Sequence, residues 1–163
     1  MSEVLQSPSV ARVRRALALC GLDCEIVELP GAARTAKAAA QFLGCELQQI
    51  ANSLVFRGHG SGAPFLVMSS GARRVDLARL ESIVGEPIGK ADAEFVREQT
   101  GFAIGGVAPV GHATPLRAFV EKSLATCPVV WAAGGHPHTV FRLTYRDLVR
   151  ITAGTEVDAA VSP

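Results

Sequence analysis

Lysine is scarce in this chain: Lys37, Lys90 and Lys122 are the only three among sixteen basic residues, and the rest are arginine. Charge of either sign is also sparse, at 19% of 163 residues, and sixteen cations against fifteen carboxylates leave a formal net charge of +1. That balance excludes a uniformly basic nucleic-acid binder, although a local arginine patch stays compatible with it. No apolar run approaches the roughly 18 residues that a spanning helix requires, so no membrane partner is expected. The segment from Met1 to Val10 has no basic stretch followed by an apolar one, and a secretory signal is not expected there. Cys20, Cys24, Cys45 and Cys127 form no C-x-x-C pair. Reduced, mostly buried thiols and a cytoplasmic location are the expectation, rather than a disulfide scaffold. Cys20 and Cys24 also lack a second ligand pair of matching spacing, so neither a metal nor another cofactor is expected.

What is present is apolar: 48% of the residues are hydrophobic. Disorder is thereby excluded, and the length fits one domain over residues 1–163 with a core of its own. Ser7 and Pro8 open a predicted helix that carries Val10, Val13, Leu17 and Leu19 and ends at Gly21. Cys24 to Leu29 reads as a strand, and an alanine-rich helix runs from Thr35 to Gly44. Ile50 to Phe56 and Pro64 to Ser69 flank the glycine-rich loop Gly58 to Gly62, the pattern of a hairpin. Asp76 and Asp92 each cap a helix, the second stopped by Gly101. Strands are expected near Leu116–Val120, Val129–Ala133 and Thr139–Leu143, before a last helix capped by Thr144. Strands and helices interleave without strict βαβ alternation, which predicts a mixed α/β (α+β) domain.

Three stretches place polar or backbone-exposing residues at strand ends. In Ile50–Phe56, Asn52 and Ser53 are adjacent and so point to opposite faces of a strand. One therefore faces the apolar side and needs a partner, or else faces a ligand. In Gly105-Gly106-Val107-Ala108-Pro109-Val110-Gly111, glycines allow close approach of backbone N–H groups, which can face a developing oxyanion. The loop is neither a P-loop nor a dinucleotide fingerprint. In Trp131 to His138, His136 and His138 stand two apart, a spacing open to metal ligation but with no acidic or cysteine partner nearby. A triad of Ser53, His136 and Asp76 lacks the G-x-S-x-G elbow.

The ordered set Thr35-Ala-Lys-Ala-Ala-Ala40, Ile50-Ala-Asn-Ser-Leu-Val-Phe56, Ser70-Gly-Ala-Arg-Arg-Val-Asp76, Thr100 to Pro109 and Gly134-Gly-His-Pro-His138 resembles the YbaK/EbsC family. Its members are relatives of the editing domain of bacterial prolyl-tRNA synthetase. The resemblance runs from about Thr35 to Ile151. It implies a curved mixed β-sheet flanked by helices and a pocket for the 3′-terminal aminoacyl-adenosine of a tRNA. It further implies hydrolysis in trans of mischarged aminoacyl-tRNA carrying a small amino acid, a task of translation fidelity. The family's G-x-x-x-P motif matches Gly105 to Pro109, whose backbone is expected to hold the aminoacyl group and the attacking water. Asn52, Gly105, Gly106 and Pro109 are thus the expected catalytic positions. Ser53, Ala108, Ala133 and His136 are expected to bind substrate, and Arg73 and Arg74 to bind tRNA. Arg12, Arg14 and Arg15 form a second candidate cluster for tRNA. An aminoacyl-tRNA synthetase is a further expected partner. One departure stands out: many members place a lysine before Ser or Thr where this chain has Asn52 before Ser53. An asparagine keeps hydrogen-bond donors but lacks the charge, which opens an alternative, a weak or inactive module that binds aminoacyl-tRNA or a synthetase.

Overall fold

Ser7, Thr35, Asp76, Asp92 and Thr144 each accept a hydrogen bond from the backbone N–H three residues on. Each opens an α-helix in the computed structural model, which describes residues 2–161. Side-chain caps of this kind satisfy N–H groups that the first turn leaves unpaired, at about 1 kcal/mol each. The helices are α1 (Pro8–Leu19), α2 (Ala36–Leu43), α3 (Leu77–Val84), α4 (Ala93–Thr100) and α5 (Tyr145–Thr152). Along α1, Val10, Val13 and Leu17 are buried at the expected spacing, whereas Leu19 is 84% exposed and leaves the apolar stripe.

The strands are β1 (Ile26–Glu28), β2 (Ala51–Gly58), β3 (Pro64–Ser70), β4 (Ile88–Lys90), β5 (Arg117–Glu121), β6 (Val130–Ala133), β7 (Thr139–Leu143) and β8 (Thr155–Val157). They form a five-stranded sheet in the order β4-β2-β3-β5-β8 and a three-stranded sheet in the order β1-β7-β6. The larger sheet is mixed: β2 runs antiparallel to β3 and β4, while β3–β5 and β5–β8 are parallel. The smaller sheet is antiparallel and meets the larger one at a parallel bridge between Ile50 and Trp131. The expected mixed α/β architecture is therefore present as two abutting sheets, with β4 and β8 added to the strands read from the sequence.

Alternation along β2 divides the interior. Ala51 and Val55 join the main core with Leu66, Met68, Phe141 and Leu148, beneath α1, α4 and α5. Phe56 turns to the opposite face and packs with Phe65, Leu80 and Phe119 under α3. Leu66 on β3 is completely buried. Truncating it to alanine is expected to cost about 2–5 kcal/mol, the range for a leucine removed from a closed core. Urea unfolding should show the midpoint fall at constant slope.

Candidate active site

The register of β2 exposes an edge. Even-numbered positions bond to β3, as the Gly71 N–H to Ile50 C=O bond of 2.8 Å and the Gly58 N–H to Ala63 C=O bond of 2.9 Å show. Odd-numbered positions point the other way, and Val55 C=O accepts from Ala91 N–H at 3.2 Å. Pairing with β4 covers only Phe56–Gly58, and the bridge to β6 lies at Ile50. The main-chain N–H and C=O of Ser53 thus face an uncovered stretch of sheet edge.

A cleft of about 750 Å³ opens along this edge, bounded by β2, β6, the start of α2 and the loop after α4. Asn52 and Ser53 both border it. The Ser53 hydroxyl turns to the main core and donates to the Met68 sulfur at 3.3 Å. Asn52 lies on the opposite face, in register with buried Ser69. Among the described residues its side-chain amide has no hydrogen-bond partner, so it is available to whatever enters the cleft.

Gly105 and Val107 also border the cleft, and neither N–H has an acceptor in the protein among the described residues. Val107 is only 3% exposed, so its unpaired donor calls for a ligand or water. Gly105 holds φ +90°, and a Cβ there would lie 3.1 Å from the Arg34 Cα. Gly106 serves differently from expectation. Its N–H donates to Ala103 C=O at 2.9 Å, and a Cβ would come within 2.8 Å of the His136 backbone. It is a close-approach glycine rather than a free donor. Ala108 and Pro109 are buried behind the cleft wall, which Val107 forms instead, while Ala133 does border the cleft.

The loop is held from outside. Arg12 on α1 donates through Nε to Gly111 C=O at 2.8 Å and through Nη2 to Gly101 C=O at 2.9 Å. Its guanidinium stacks 4.6 Å from the Phe102 ring centroid. Arg12, expected with Arg14 and Arg15 to form a cluster for tRNA, is engaged within the fold, and Arg14 donates to Leu5 C=O at 3.2 Å. His112, which the sequence did not single out, bonds through Nε2 to Ala108 C=O at 2.7 Å. Burial pushes its pKa below the ordinary 6.5, so the neutral ring donates to the carbonyl.

His136 borders a second, smaller cavity rather than the cleft. Its Nδ1 accepts from His138 N–H at 3.0 Å. The neutral ring therefore carries its proton on Nε2, which suits it to donate and not to act as a base. Burial first, then His138 and Arg34, lower its pKa, against an opposing effect of Glu28. Among the described residues no group of three or more His, Cys, Asp or Glu side chains is arranged to hold a metal.

Charge in the cleft is one-sided. Arg34, Arg73, Arg74 and Lys90 line it, no Asp or Glu does, and none of the four is in an ion pair among the described residues. Arg34 and Lys90 were not among the expected site residues. Lys90 is brought to the cleft by β4, opposite Phe56 and on the same sheet face as Asn52.

Residues 31–151 match the model of the aminoacyl-tRNA editing domain. A crystal structure described as "a putative trans-editing enzyme for prolyl tRNA synthetase" superposes with a TM-score of 0.88 at 47% identity, over 96% of this chain and 99% of that one. The uncharacterized protein YwhH of Bacillus subtilis (strain 168) is 29% identical over 86% of this chain and 88% of its own length. A proline–tRNA ligase of Thermosipho melanesiensis is 33% identical over 53% of this chain, which spans 15% of that ligase.

Two expectations concern the loop. Arg12→Ala removes two charge-assisted bonds of about 1.5–3 kcal/mol each. It should destabilise the protein by about 3 kcal/mol and speed amide exchange in residues 101–111, with β2 and β3 little affected. For His112, the unfolded chain binds a proton more readily than the folded one. Its contribution is thus complete above pH 6.5 and is lost as pH falls through the depressed folded pKa. His112→Gln, which keeps a donor for Ala108 C=O, should flatten the acid limb of a stability–pH curve. Identical slopes for the two proteins would discount the buried neutral ring.

Proposed function

The chain belongs to the aminoacyl-tRNA editing domain family, and from that premise we propose that it is a trans-acting deacylase for tRNA mischarged with a small amino acid. The family carries aminoacyl-tRNA deacylation in general. The reading for this chain rests on one observation: Gly105 and Val107, whose N–H groups have no acceptor among the described residues, border a cleft lined by four cations and no carboxylate. Such a cleft favours an anionic strand, and fixed backbone donors suit an oxyanion.

The bond to be broken is an activated ester, so a positioned water suffices without a covalent nucleophile. Water adds to the acyl carbon, and the developing oxyanion lies against the two N–H groups. The ester C–O bond then breaks, and the ribose hydroxyl leaves with a proton from the water. Asn52 would hydrogen-bond the ester or terminal ribose, and the Ser53 main chain offers a donor and an acceptor beside it. Arg73 and Arg74 would take phosphates, which makes activity fall with added salt. Ala133 on the cleft wall fits selection by size. That mechanism yields about 1–3 kcal/mol per methylene and rejects larger side chains better than smaller ones. The partners on this reading are the acceptor end of aminoacyl-tRNA and an aminoacyl-tRNA synthetase. The protein works in the cytoplasm as a single domain over residues 1–163, with no cofactor.

A second reading is supported by the missing charge at Asn52: a module that holds aminoacyl-tRNA or a synthetase without turning it over. Purified protein incubated with Ala-, Ser-, Thr- and Cys-charged tRNAs distinguishes the two. Release of one small amino acid, abolished by Gly105→Arg, is expected. Binding without release, with activity appearing only in Asn52→Lys, would establish the second reading.

A further inference from the structure

The second cavity, of about 350 Å³, adjoins the cleft and shares Arg34 and Pro137 with it. The hydrolysis described above makes no use of this space. Every titratable side chain that borders it is basic: Arg34, Arg97, His136 and His138. The opposing charge felt by His136 comes from Glu28 on β1, which does not border the cavity and accepts a hydrogen bond from the Ser2 hydroxyl.

The geometry is fixed by the chain rather than by ion pairs. Ala33 N–H donates to Pro137 C=O at 2.7 Å and Leu29 N–H to His138 C=O at 2.6 Å, which ties the segment before Arg34 to the histidine turn. His136 N–H donates to the Thr139 hydroxyl at 3.1 Å, and Thr139 N–H to His136 C=O at 2.9 Å. The two imidazoles meet edge-on, with centroids 5.2 Å apart. With Nδ1 occupied by His138 N–H, the other ring edge of His136 presents Nε2–H. The guanidinium groups of Arg34 and Arg97 have no hydrogen bond or ion pair among the described residues. Two guanidinium charges and two imidazoles are thus gathered with no anion among them, an arrangement that a negative group would neutralise.

We propose that this cavity is a phosphate subsite, in which Arg34, Arg97 and His136 Nε2–H bind a phosphodiester of the strand whose terminal nucleoside occupies the cleft. The proposal rests on the aminoacyl-tRNA reading for the identity of the strand. Arg34 borders both spaces, so a strand that continues from the cleft passes it. Guanidinium pairs suit phosphate because their parallel N–H groups match two oxygens.

Ring resonances of His136, followed by NMR through a pH titration, report occupancy without any ester being cleaved. The probes are cytidylyl-3′,5′-adenosine, adenosine and inorganic phosphate. The dinucleoside monophosphate should raise the His136 pKa, because the anion offsets Arg34 and His138, while adenosine should leave it unchanged. Arg97→Ala, at an exposed helical position, should weaken the dinucleoside phosphate about tenfold, the effect of one charge-assisted bond. Two results would overturn the proposal: no movement of His136 with either phosphate, or inorganic phosphate bound as tightly as the dinucleoside. The first removes the anion site, and the second removes its assignment to the substrate strand. A protein that proves unable to hydrolyse aminoacyl-tRNA still gives the positive result, so the two proposals fail separately.

Discussion

One arginine side chain fixes the shape on which the cleft depends. Residues 101–111 contain no helix or strand, and several of their N–H groups have no acceptor among the described residues. A segment that keeps donors unpaired draws no ladder energy from its own backbone, so its conformation must be imposed by its surroundings. Arg12 does this by bonding the carbonyls of Gly101 and Gly111, at the two ends of the loop, while stacking on Phe102 between them. His112 adds a third point, at Ala108 C=O. Helix α1 is also in contact with the histidine turn, since a Cβ on Gly135 would strike the Val13 side chain and Ser9 C=O. The same helix therefore positions both the glycine loop and the turn that carries His136.

The near-neutral net charge conceals a segregation of sign. Several carboxylates are engaged away from the cleft. Asp76 and Asp92 cap helices, Glu86 takes the N–H groups of Gly60 and Ser61, and Glu121 accepts from Ser123 N–H. Asp147 and Asp158 pair with Arg150 and Arg79, and Glu156 accepts from the Tyr145 hydroxyl. Arg34, Arg73, Arg74, Lys90 and Arg97, which have no ion pair among the described residues, lie on the walls of the two adjoining cavities. A local field is set by the nearest charges and by screening within about a Debye length, not by the sum over the chain. A formal charge of +1 is thus compatible with a site that attracts a polyanion.

The parts of this arrangement that could be read from the sequence are those with local causes. Caps and left-handed glycines fix the helices within a residue or so, because an N-cap side chain bonds only three positions ahead. The strands β4 and β8, three residues each, have no such signature and exist only through pairing with β2 and β5. Asn52, Ser53, Gly105 and Ala133 border the cleft because the strand and loop that carry them were recognisable. Arg34 and Lys90 were not expected, since their presence at the cleft depends on which elements lie next to β2. Arg12 shows the converse: an arginine on an amphipathic helix looks solvated until a loop far along the chain is folded against it. Gly106 and Ala108 show a third limit, for a motif names residues without saying which N–H is already bonded, as at Gly106, or which side chain is buried behind the wall, as at Ala108.

The asparagine at position 52 can be weighed by distance. A cation about 4 Å from a developing oxyanion contributes about 4 kcal/mol at an effective dielectric of 20. Lys90 stands opposite Phe56, four positions along β2 from Asn52, and at about 3.3 Å per residue that is about 13 Å. Lys90 lies towards the far end of the open strand edge and, on the proposed reading, adds to the field that draws a strand into the cleft. On the proposed reading, the stabilisation that falls to the protein comes from donors in direct contact: the amides of Gly105 and Val107 and the side chain of Asn52. Amide donors act only when aimed, because their interaction is short and directional. A site that relies on them is more sensitive to loop geometry than one that carries a lysine, and the loop geometry here is set by Arg12.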